Sequence, residues 1–302
     1  MPFLKPQSAS ILFLLLFIFL LRPTARAQSN DLEAGLFNIG IGSVLGGVGA
    51  AINKKPGERV GKTILKGLWQ GAIGGYAVFE SMRLVREFAE TGEFAYVWPS
   101  KLVNSAGTSI IENAAANRDL WESWHLNIGF NRIEMNTADN FRISYRIMPA
   151  ALFSIVYSFT NAELDPKLSL RMGTFVFVTP VIHSDPNTYG ESRTNSIVIK
   201  EGLMGRLALP HELLHNYQYE RLSGFNAHLN RPIKKLSEDF PLVNTYHKIF
   251  YSDFNALMQR GLYYMANPGQ AEDRRNYLQK NLFEREAEYY SDVPPRQKLL
   301  DL

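Results

Sequence analysis

Gly67, Gly71 and Gly75 recur every fourth residue, so on a helix they share one face. Gly42 and Gly46 repeat the spacing in the uncharged stretch at residues 35–53. A helical face without side chains lets two backbones approach closely, which predicts a helical hairpin across the polar turn at residues 54–62. Two settings suit such a hairpin: insertion in a membrane, or packing on the rest of the protein. Lys66 and Glu80 leave only a short uncharged run in the second segment, which favours packing. The turn also contains GERVGKT (residues 57–63). It is one residue short of a phosphate-binding loop and no strand precedes it, so no nucleotide site is expected there.

The chain has 302 residues, 46% hydrophobic and 20% charged, as a globular protein does. Residues 1–27 read as a secretory signal: Lys5, then the apolar run ASILFLLLFIFLL, then ARA with small residues at a cleavage position near Ala27. The apolar run falls short of a bilayer span of about 20 residues. The net charge of +3 is carried by Lys5, Arg22 and Arg26 within this segment. The remainder is balanced, so no nucleic-acid partner is expected. Cysteine is absent, which rules out thiol catalysis and thiolate metal ligands.

Between residues 124 and 200 the hydrophobic period becomes two. In HLNIGFNRIEM, Leu126, Ile128 and Phe130 fall on one face. In FRISYRI, Phe141, Ile143, Tyr145 and Ile147 oppose Arg142, Ser144 and Arg146. LFSIVYSFT, KLSLRMGTFVFVTP and TNSIVIK continue the alternation. The expectation is an antiparallel sheet of about five strands with one face buried. From Gly202 onward the pattern is helical. PHELLHNYQYERL, LVNTYHKIFYSDFNALMQRGLYYMA and FEREAEYYSD are the candidate helices, and residues 291–302 form a loose tail.

One helix carries chemistry. HELLH is His211, Glu212, Leu213, Leu214 and His215. Residues four apart share a helical face, so His211 and His215 can direct two imidazole nitrogens at one point, as zinc requires. Glu212 is turned about 100° from His211. There it can reach a metal-activated water as general base without binding the metal. Pro210 places the start of the helix in question: either the helix begins there, where proline is favoured, or it kinks.

HELLH resembles the signature of zincin metallopeptidases. In the glutamate branch of that family the third zinc ligand is a glutamate on a later helix, followed four residues on by an acid. EREAE (residues 284–288) is similar to that pattern. The resemblance implies Glu284 as third ligand and Glu288 as the acid that orients a ligating histidine, although the family has aspartate there; the two share a helical face, so Glu288 is the alternative ligand. It covers residues 194–291 and also implies an edge strand near the site that binds an extended peptide, for which TNSIVIK is the candidate. A donor to the substrate carbonyl is expected among Tyr217, Tyr219, His228, Tyr289 and Tyr290. His125, His183 and His247 read as structural or surface residues.

These readings combine into an α+β fold: an N-terminal glycine-rich helical hairpin, an antiparallel sheet and a C-terminal helical zincin-like part. The expected divisions are residues 1–27 (signal), 28–123 (glycine-rich helical region) and 124–302 (zincin-like region). The expected function is an exported metallopeptidase, periplasmic, outer-membrane-associated or extracellular. It would use Zn2+ held by His211, His215 and Glu284, with Glu212 as catalytic base, on a peptide or protein substrate. Membrane association through residues 35–90 is a further expectation. The alternative is a non-enzymatic envelope protein whose zinc site is structural or vestigial.

Overall fold

A computed structural model describes residues 30–138, 140–183, 186–265 and 281–292. The signal-like segment 1–27 and all but the first two residues of the tail lie outside the described residues.

Two long helices, α1 (Asp31–Ile52) and α2 (Val60–Thr91), form the expected hairpin. The Asn30 side chain caps α1 by accepting from the Glu33 amide at 3.0 Å. Gly92 ends α2 in the left-handed conformation, φ 71°. The glycines are needed for space. A Cβ on Gly71 would collide with the Gly42 carbonyl oxygen, and one on Gly67 with that of Gly46. A single 3-10 turn (Phe94–Tyr96) leads to α3 (Val97–Ala115), which packs on the other flank of α2. Gly74 and Gly107 meet there: a Cβ on Gly74 would lie 2.6 Å from the Gly107 oxygen. By length and composition α1 could cross a membrane, but half of its apolar window is buried in the protein. Ile41, Leu45, Val78, Met82 and Ile111 share one core with Leu213, Tyr217 and Ala287 from the C-terminal helices.

Among the described residues the strands form two sheets, which corrects the expectation of one antiparallel sheet of about five strands. The first is an antiparallel meander of β1 (Ser123–Ile128), β2 (Asn131–Asn136) and β3 (Arg142–Ile147). The second has β4 (Glu163–Leu164), β5 (Phe175–Thr179), β6 (Gly190–Ser192) and β7 (Ser196–Lys200) in the order β4-β5-β7-β6. In it β5 and β7 run parallel, and the other pairs are antiparallel. TNSIVIK therefore becomes an interior strand, and the edge falls to β6.

Two expected strands change type. LFSIVYSFT belongs to helix α4 (Pro149–Phe159). Its short apolar run fits either period, and a distant residue decides: the Asp253 carboxylate accepts from the Ala150 and Ala151 amides at 3.0 and 3.1 Å. That supplies the acceptor a helix N-terminus lacks. Ala151, Ser154, Ile155 and Ser158 then form its buried face. The first half of KLSLRMGTFVFVTP is helix α5 (Pro166–Met172), capped by Asp165 and closed by Gly173 at φ 61°. Only the second half is strand.

The first sheet also inverts the expected burial. Ile133, Met135, Ile143 and Tyr145 are exposed, while His125, Asn127 and Arg132 face inward. Glu112 of α3 explains this. It lies beneath the sheet, 2.9 Å from Arg132, which in turn contacts Glu134 at 2.6 Å. Arg146 pairs with Glu134 at 2.6 Å, and the Tyr251 hydroxyl donates to Glu112 at 3.0 Å. Buried charge persists only where it is paired in this way.

The C-terminal part contains α6 (Leu203–Leu207), α7 (Leu209–Arg221), α8 (Gly224–Ala227), α9 (Asn230–Asp239), α10 (Pro241–Ile249), α11 (Asn255–Met265) and α12 (Leu282–Ser291). The single helix expected over residues 242–266 is two, α10 and α11. The break is held by the Tyr251 amide donating to the Ile147 carbonyl at 2.8 Å and by Asp253 capping α4.

Candidate metal centre

Helix α7 starts one residue before Pro210, so proline sits in the first turn, where its missing N–H leaves no bond unmade. The Glu212 amide closes that turn on the Ala208 carbonyl at 3.0 Å. Leu209, Leu213, Leu214 and Tyr217 bury one side of α7 in the core. His211 and His215 emerge one turn apart on another side, with ring centroids 4.7 Å apart and Nε2 atoms 3.1 Å apart.

Helix α12 brings the third group. Asn281 caps it, accepting from the Phe283 amide at 2.9 Å. Phe283, Ala287 and Tyr290 enter the core, which turns Glu284 toward α7. Its Oε2 lies 3.3 Å from His211 Nε2 and its Oε1 lies 3.6 Å from His215 Nε2. One ligand atom from each of His211, His215 and Glu284 falls within 4.8 Å of the others.

The outer nitrogens fix the tautomers. His215 Nδ1 is 2.8 Å from Gln218 Oε1. The Gln218 amide nitrogen donates to the Phe283 carbonyl at 2.8 Å and to Glu286 Oε2 at 3.0 Å, so its oxygen must face the histidine. An amide oxygen only accepts, so Nδ1 carries the proton and Nε2 keeps its lone pair. Ser291 Oγ donates to the Ala287 carbonyl at 2.8 Å and meets His211 Nδ1 at 3.2 Å, which gives His211 the same tautomer. Two Nε2 lone pairs and a carboxylate thus converge, and such a set requires positive charge among its members. A proton can supply it: burial works against the His215 imidazolium, but Glu284 raises its pKa to about 9. Burial likewise opposes the Glu284 carboxylate, yet the two imidazoles hold it far below the usual range. A divalent cation meets the same demand, and two imidazoles with one carboxylate fit zinc with a coordination position left open.

Glu212 lies beside this cluster, buried, against the backbone of β6. A Cβ on Gly190 would sit 2.6 Å from Glu212 Oε1, so a larger residue there would displace the Glu212 side chain. Ser192 donates to Asn216 Oδ1 at 2.7 Å and fastens the strand to α7. Burial raises the Glu212 carboxyl pKa, the two histidines lower it, and Glu284 and Glu191 add to the rise. The net shift is upward, as suits a group that takes up a proton.

Glu288 is exposed on α12, and the hydrogen bond to His211 comes instead from Ser291, three residues on. Glu286 proves to be the buried acid of this helix: it pairs with Arg221 at 2.7 Å and accepts from Asn38 of α1 at 3.1 Å. Spacing could not reveal Tyr263, which donates to Glu284 Oε1 at 2.7 Å from α11. Four of the other candidate donors are engaged elsewhere. Tyr217 bonds Ser100, Tyr219 bonds Asp253, His228 meets the Leu45 carbonyl and Tyr289 bonds Asp31. Tyr290 lies in the core beneath Arg86. His125 is buried against Thr108 and Ser109, His183 is exposed and His247 lies edge-on to Tyr246.

Comparison with family models, curated proteins and solved structures gives no match.

Proposed function

We propose that the protein is an exported zinc-dependent hydrolase of peptide bonds, of the glutamate zincin type. The observation that carries this reading is the convergence of His211, His215 and Glu284 beside a buried Glu212. Zinc held by the three ligands would activate water and polarise the substrate carbonyl. The chain's own residues do the rest. Glu212 accepts a proton at its carboxylate and returns it to the leaving amine. Gln218 and Ser291 hold the imidazoles in the tautomer that leaves Nε2 free. Strand β6, paired on one side by β7, offers its other edge to an extended peptide above Glu212. Residues 1–27 direct export, and the outward row Leu65, Trp69, Ile73 and Tyr76 on α2 supplies the membrane association.

A second reading, an envelope protein with zinc as a structural brace, draws support from the buried link between α12, α7 and α1 through Glu286, Arg221 and Asn38. Peptide hydrolysis by the zinc-loaded wild type and by Glu212→Gln separates the two. The enzyme reading expects the variant to keep its zinc and lose activity by about 100-fold to 10,000-fold. Zinc binding in both proteins, with hydrolysis in neither, supports the brace.

A further inference from the structure

The first sheet shows an apolar face to the outside, and nothing in the proposed hydrolysis uses it. Its outward side chains include Trp124, Leu126, Ile133, Met135, Ile143 and Tyr145, and the register sets Ile133 opposite Tyr145 and Met135 opposite Ile143. None of them carries a charge. Ile143 is 60% exposed and Tyr145 51%. Arg132, Glu134 and Arg146 of the same strands are turned inward, at the cost of a buried ion network. A sheet normally buries its apolar face and leaves the charged one in water. Inversion along three strands marks this face as one that water does not cover in the working protein.

The dimensions argue against a second copy. Three strands of six residues make a face about 14 Å by 20 Å, roughly 280 Å². Even doubled for side-chain relief, this falls short of the roughly 800 Å² that each partner buries in a stable complex. A lipid surface sets no such minimum, since each inserted side chain contributes independently.

The margin of the face has the composition of a membrane interface. Trp121, 58% exposed, stands beside it in the loop leading to β1. Asn117 joins that loop to Glu58 in the α1–α2 turn at 2.7 Å, and Asp119 joins it to Lys66 of α2 at 2.7 Å. The same turn presents Lys55 and Arg59 to solvent, and Lys62 is exposed in the first turn of α2. Indole rings and cations around an uncharged apolar patch suit an anionic bilayer surface.

We propose that the outer face of the β1–β2–β3 sheet rests in the interface of an anionic lipid bilayer, with the basic hairpin turn at its margin. The chain has no cysteine, so a single Ile143→Cys substitution places one nitroxide label on the face of the full-length protein. Leu170→Cys, at a residue 73% exposed on α5, labels a site away from the sheet. With vesicles of phosphatidylcholine and phosphatidylglycerol, the label at position 143 should gain oxygen accessibility. It should lose accessibility to a water-soluble nickel chelate by roughly tenfold, while the label at 170 stays in water. A label at 143 that remains in water when vesicles are added overturns the proposal. Shielding of position 143 that rises with protein concentration before any lipid is present also overturns it, in favour of a second copy.

Discussion

Gln218 determines which nitrogen of His215 faces Glu284. Its amide is locked by the Phe283 carbonyl and by Glu286, which is itself held by Arg221 and Asn38. Partners of this kind typically set metal affinity within a factor of about 10 to 100. Gln218→Ala should therefore weaken zinc binding by about that factor, read by competition with a chromophoric chelator. HELLH is legible in the sequence because two ligands on one helix need only a spacing of four. Glu284 is reached only through resemblance to a family pattern. Gln218, Ser291 and Tyr263 are not legible, because their roles depend on the orientation of an amide, a hydroxyl rotor and a contact between helices far apart in the chain.

At the level of elements, the α1–α2 hairpin follows directly from glycine spacing, because close backbone approach leaves no room for another residue. Gly71→Ala puts a methyl group onto the Gly42 carbonyl. Overpacking of this kind should cost about 1–3 kcal/mol, visible as a lower melting temperature. The α4 segment was less legible. Eleven residues from Pro149 to Phe159 fit a strand or a helix, and the Asp253 side chain that selects the helix lies about a hundred residues away. The edge strand shows the same limit: β6 is only three residues long, too short to leave a periodic signal, whereas TNSIVIK is long enough to read as a strand.

In the whole molecule, the first sheet and α3 are joined by the charges of Glu112, Arg132, Glu134 and Arg146. Burial alone would raise the Glu134 carboxyl, but Arg132 and Arg146 bring its pKa down from 4.5 to about 2. The folded value lies below the unfolded one, so the contribution is complete above pH 4.5 and is lost as pH falls toward 2. Its size is on the order of 3 kcal/mol. Melting temperatures should thus fall between those pH values, and Glu134→Gln should flatten that part of the profile. Alternation in β1 to β3 revealed strands but not which face is buried, because that depends on Glu112 from another element.

The proposed hydrolysis requires that His211, His215 and Glu284 form a zinc site. The zinc content of the purified protein after zinc loading and exhaustive dialysis tests this directly, with His215→Ala and Glu284→Ala treated in parallel. The prediction is one zinc per wild-type chain and its loss in both variants. A folded wild-type protein that retains no zinc, or variants that retain as much as the wild type, would contradict it.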